Sequence, residues 1–84
     1  MSATTDRLKD ELHELEQRIK IAINDHEAAK AAFGRLEVPP THPMWGIFRD
    51  NIDRTLTHQR VLQACWHRTK AALLEQQNKD HEVD

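Results

Sequence analysis

Leu8, Leu12, Leu15, Ile19, Ala22, His26, Ala29, Phe33 and Leu36 follow one another at alternating steps of four and three residues. That spacing keeps one face of an α-helix turned toward a partner for about four heptads. It predicts a first helix over about residues 6–36. Thr5 or Asp6 is the expected N-cap, and Asp10 and Glu11 set negative charge near the positive end of the helix dipole. Gly34 offers a left-handed cap, but Leu36 stays in register. The helix is therefore expected to reach Leu36, before Pro39 and Pro40 forbid its continuation.

The same rhythm resumes after the prolines. Trp45, Phe48, Ile52, Thr55, Gln59, Leu62, Trp66, Thr69, Leu73 and Gln76 form a second seam and predict a helix over about residues 43–79. Thr41 or His42 is its expected cap, with Pro43 in the first turn, where a missing amide proton costs nothing. The tail 80–84 is polar and is expected to fray. A connection over 37–42 is short enough to make the helices antiparallel neighbours. The fold class is all-α, one domain spanning 1–84: a long antiparallel helical hairpin, coiled-coil-like.

Two helices share one narrow interface, and the chain carries more apolar side chains than it can cover. Ile21 and Ile23 flank the first seam, and Leu56, Val61, Cys65 and Leu74 lie off the second. A second copy of the chain is the simplest cover. The hairpin is thus expected to form a homodimer, a four-helix bundle with two-fold symmetry.

Composition narrows the function classes. With 12 basic and 14 acidic residues the net charge is −2, so bulk charge favours neither nucleic acid nor a membrane surface. No run approaches the ~18 apolar residues of a membrane span. The single cysteine, Cys65, excludes an internal disulfide and fits a reducing cytoplasm. The six histidines, His13, His26, His42, His58, His67 and His81, include no pair spaced by four on one helix and no accompanying cysteine pattern. No metal, cofactor or nucleophile-base arrangement is legible, and no enzyme is expected.

Three groups of residues remain as candidate sites. If Phe33 faces Phe48, the register sets Ile19 against Leu62, Leu15 against Trp66 and Leu8 against Leu73. It also sets His26 against Thr55 and Ala22 against Gln59, a polar layer in an apolar seam with Asp25 near His58. Such groups must be hydrogen-bonded or cost about 1–3 kcal/mol each. They form a register-fixing layer or, in a sharper reading, a small polar or pH-sensing site. Second, residues 54–74 hold Arg54, Arg60, Arg68 and Lys70 and no acid. They are candidates for a phosphate-bearing ligand, nucleic acid or a signalling nucleotide. Helix one, with the acids Asp6, Asp10, Glu11, Glu14, Glu16, Asp25 and Glu27, is equally able to neutralise them. Third, the stretch AAFGRLEVPPTHPMWGIF at 31–48 concentrates the prolines, the glycines and most of the aromatics. Val38, Pro40, Met44 and Trp45 there are either a plug closing the hairpin end or a stiffened tip that docks on a partner.

In size, hairpin layout and lack of catalytic motifs, residues 6–79 resemble the small helical inhibitors that bacteriophages encode against host proteins, anti-CRISPR and anti-quorum-sensing factors among them. They also resemble some bacterial antiactivators. The likeness is one of architecture and transfers no functional residue. It implies a protein that binds and blocks, or adapts, an unidentified partner protein.

Overall fold

The computed structural model describes residues 2–83 and contains two helices, α1 (Ala3–Gly34) and α2 (Pro43–Val83), packed antiparallel into a rod of 65 × 15 × 13 Å. The long dimension follows from the ~1.5 Å rise per residue of the longer helix. Every seam position read from the sequence is buried or half-buried, while neighbouring positions along each helix are mostly exposed. The core is a single file of side chains, closed most tightly at Leu12, Ala22, Ala29, Leu62 and Leu73.

The ends of the helices differ from expectation, and the reasons are local. Ser2, not Thr5 or Asp6, caps α1: its side-chain oxygen accepts the Thr5 amide proton at 3.1 Å. Thr5 is instead wholly buried, because it lies three residues before Leu8 and so continues the seam. At the other end α1 stops at Gly34 rather than Leu36. The Arg35 amide turns back onto the carbonyls of Ala31 and Ala32, and that of Leu36 onto Phe33, while Arg35 keeps right-handed φ/ψ of −91° and −6°. The cap is a tightened last turn and uses no left-handed residue. Helix α2 starts as expected, with Pro43 first. His42 caps it: its Nδ1 accepts the Met44 amide proton at 3.1 Å, and its carbonyl accepts that of Trp45 at 3.0 Å.

The tail read as 80–84 is helical as far as it is described, residue 84 lying outside the described residues. Helix α2 continues to Val83, and Asp80 meets the start of α1. Its Oδ2 accepts from the Thr5 hydroxyl at 2.6 Å and the Ser2 hydroxyl at 3.2 Å, and Oδ1 accepts from the Gln76 amide at 3.1 Å. The Thr5 hydrogen bond is the main cause that holds the Asp80 carboxyl below its ordinary value of 3.8, with Gln76 and Ser2 adding to it against partial desolvation. A carboxylate acidified by folding stabilises the fold above its unfolded value, and that stabilisation disappears as pH falls through the lower folded value. Asp80→Asn should therefore lower the urea midpoint at neutral pH, and the gap to the natural chain should close in strong acid. An equal gap at neutral pH and at about pH 2 would show that the carboxylate charge plays no part.

Candidate functional site

His26 and Thr55 meet across the hairpin as the register requires, with Nδ1 and Oγ1 3.0 Å apart. Thr55 lies 2.8 Å from the Asn51 carbonyl and 3.0 Å from that of Ile52, so its one hydroxyl proton is directed into its own helix. With the Thr55 proton so placed, its oxygen is able to accept from His26 Nδ1. The imidazole is half-buried rather than enclosed, as is Gln59, one turn along α2 from Thr55. Asp25 and His58 line one shallow cavity with Ala22, Arg54 and Thr55. The layer is satisfied and leaves no buried side-chain polar atom without a partner among the described residues. His26→Leu should keep or raise the melting temperature, because Thr55 retains its bonds to its own helix. A large drop on calorimetry would assign the imidazole a structural role that this geometry does not give it.

At the hairpin end the ring pair is Phe33 with Trp45, not Phe33 with Phe48. The centroids are 5.3 Å apart with the planes at 66°, an edge-to-face contact. Because α2 begins immediately at Pro43, Trp45 lies in its first turn and folds back over the end of α1. Phe48 sits one turn deeper, beside Ala29 and Ala32. Arg49 lies 5.9 Å from the Trp45 ring centroid. Trp45 and Val38 are half-buried, whereas Pro40 and Met44 are exposed. The four residues read as a docking tip thus divide: Trp45 closes the end, and Met44 with Pro40 faces outward. Ile47, 63% exposed, lies one turn further on, on the flank of α2, and was missed because it falls off the seam.

The rod has two flanks, and its surface residues sort between them. On one flank, shallow depressions follow each other between Asp25, Ala28, Ala29 and Ala32 of α1 and Ile47, Asn51, Arg54 and His58 of α2. Another, between Glu11, Glu14, Leu15 and Arg18, continues the same flank. On the opposite flank a depression of about 340 Å³ is bounded by Glu16, Ile19, Lys20, Gln63, Trp66 and His67. There the Trp66 indole donates to Glu16 Oε1 at 3.2 Å.

Residues seven apart share a helix face, which places the basic residues. Arg68 lies two heptads beyond Arg54 on the grooved flank. Arg60 precedes His67 by one heptad, and Lys70 follows Gln63 by one, both on the opposite flank. The acid-free segment therefore does not present Arg54, Arg60, Arg68 and Lys70 as one phosphate-binding face. Helical winding divides it, and ~21 Å of helix separates the two arginines that do share a flank.

Among the described residues no group of three His, Cys, Asp or Glu side chains is placed to hold a metal ion, and no helix is long and apolar enough to cross a membrane. Comparison with protein families, curated proteins and solved structures returns no match.

Proposed function

We propose that the hairpin is a non-enzymatic protein-binding module that pairs with a second copy as a four-helix bundle and acts as an inhibitor or adaptor by covering a partner protein's surface. One observation carries this reading: large apolar side chains stand exposed on a rod whose core is a single file. Ile21, Ile47 and Val61 lie on the grooved flank, Leu74 and Ile23 on the other, and Met44 at the end. A two-helix rod has no further layer with which to cover them. The architectural likeness to phage-encoded helical inhibitors and antiactivators also favours contact over catalysis.

The division of labour is self-association through a flank and partner contact through the Met44 and Pro40 end. Sedimentation equilibrium at micromolar concentration should return about twice the 9.8 kDa chain mass. Met44→Asp should leave that mass and the helical content unchanged while abolishing capture of a partner from native cell extract. A cooperative, fully helical monomer would remove the bundle. Undiminished capture by Met44→Asp would remove the end as the contact surface.

A further inference from the structure

Resting on the reading above that the hairpin dimerises, we infer that the grooved flank is the dimer face and that two copies dock with both turns at the same end of the bundle. The hydrogen bond between His26 and Thr55 and that between Trp66 and Glu16 fix which residues of α1 and α2 lie at the same level of the rod. Carried along the grooved flank at heptad intervals, that register sets Arg7 level with Glu75, Glu14 level with Arg68, and Ile21 level with Val61. Ala28 lies level with Arg54, which lines one depression with Asp25. Ile21 and Val61, 61% and 54% exposed, stand near the middle of the rod's length.

Two-fold symmetry allows this face to meet itself in two ways. With turns at the same end, α1 of one copy lies over α2 of the other at equal level. Arg7 then meets Glu75, Glu14 meets Arg68, Ile21 meets Val61, and Arg54 covers the small Ala28 beside Asp25. With turns at opposite ends, each helix lies over its own copy. Keeping Ile21 on Ile21 and Val61 on Val61 then forces Arg54 onto Arg68 and Arg7 onto Arg35. Like charges set opposite one another across a face reject an arrangement more strongly than exposed opposite charges favour one. In the register that centres Ile21 and Val61, the charge pattern therefore selects the same-end dimer.

The other features of the flank agree. Glu14 is held by Arg18 at 2.7 Å and Glu75 lies 3.9 Å from Lys79, so each carboxylate keeps a second oxygen for a guanidinium from the other copy. Ala28, Ala29 and Ala32 keep the groove shallow enough for a helix to approach. One 65 Å flank is also long enough to supply the ~800 Å² per partner of a standard interface. The consequence for function is that Ile47 of each copy is covered at the edge of the dimer face, and the two Pro40 and Met44 ends lie side by side.

The test uses the full chain with Cys65→Ala and a single probe at Thr41→Cys, an exposed turn position. Same-end docking brings the two probes within about 30 Å, whereas opposite-end docking separates them by most of the rod, ~50 Å or more. Distances from spin-label pairs read this directly. A long distance in a chain that sediments as a dimer overturns the inference and leaves dimerisation standing. A monomer overturns both. As an independent arm, Ile21→Asp and Val61→Lys should each weaken self-association at least ~10-fold with helicity retained, and mixing the two should restore a dimer through the Asp and Lys brought face to face. Failure of the mixture to form the mixed dimer, when each variant alone is folded and monomeric, overturns the facing of Ile21 and Val61.

Discussion

Leu73→Ala is expected to cost the hairpin about 2–5 kcal/mol, the largest loss of any single truncation in the chain. Leu73 is 3% exposed and sits where α2 passes the first turns of α1, in a core only one side chain wide. A hole there cannot be filled from a second layer, so relaxation recovers little. The adjacent Leu74, 51% exposed, supplies the control. Leu74→Ala should change stability by less than ~0.5 kcal/mol. The pair compares identical chemistry at neighbouring positions, and chemical denaturation of both variants measures it. Equal losses would mean that the opposite flank, not the grooved one, is covered in solution.

Trp45→Ala is the second large effect, expected to lower the melting temperature by roughly 10 °C. A fully buried Trp or Phe costs about 3–5 kcal/mol when cut to Ala. Trp45 is half-buried and packs at the end of the rod, so about 1.5–2.5 kcal/mol is the proportionate figure, at ~4–8 °C per kcal/mol for a chain of this size. The edge-to-face contact with Phe33 should appear as a coupling of about 0.5–1.5 kcal/mol in a double-mutant cycle with Phe33→Leu. Unchanged melting would show that the indole does not close the hairpin. Met44→Ala, one residue away and outward-facing, should leave the melting temperature within a degree or two.

The seam was legible in the sequence because a hairpin core one residue wide is almost nothing but periodicity. Alternating steps of three and four identify each inward position, and a short proline-stiffened connection leaves little freedom in how the two series align. The contact of His26 with Thr55 follows from that alignment alone. What escaped was polar or terminal. Thr5 and Asp80 continue the same spacing at both ends, three residues before Leu8 and four after Gln76, yet a pattern counted in apolar residues ends before them. The end of α1 was misjudged for a related reason: Leu36 keeps the rhythm after the backbone has left the helix, so side-chain spacing alone cannot mark a cap. The pairing of Phe33 with Trp45 depended on how abruptly α2 begins, which displaces the contact by one turn relative to the rest of the register. The basic segment shows the opposite case. Arg54, Arg60, Arg68 and Lys70 are neighbours in sequence, but helical winding sends them to different flanks, and projection onto the heptad would have separated them.

The meeting of Ser2, Thr5 and Asp80 has a further consequence for how the rod can be handled and tethered. It ties the beginning of one helix to the last turns of the other, so polypeptide joined before or after the hairpin leaves from the same pole, at the opposite end of the 65 Å rod from the prolines. A reporter, affinity tag or neighbouring domain placed on either side should leave the Met44 pole unobstructed, whereas an insertion at Thr41 would occupy it.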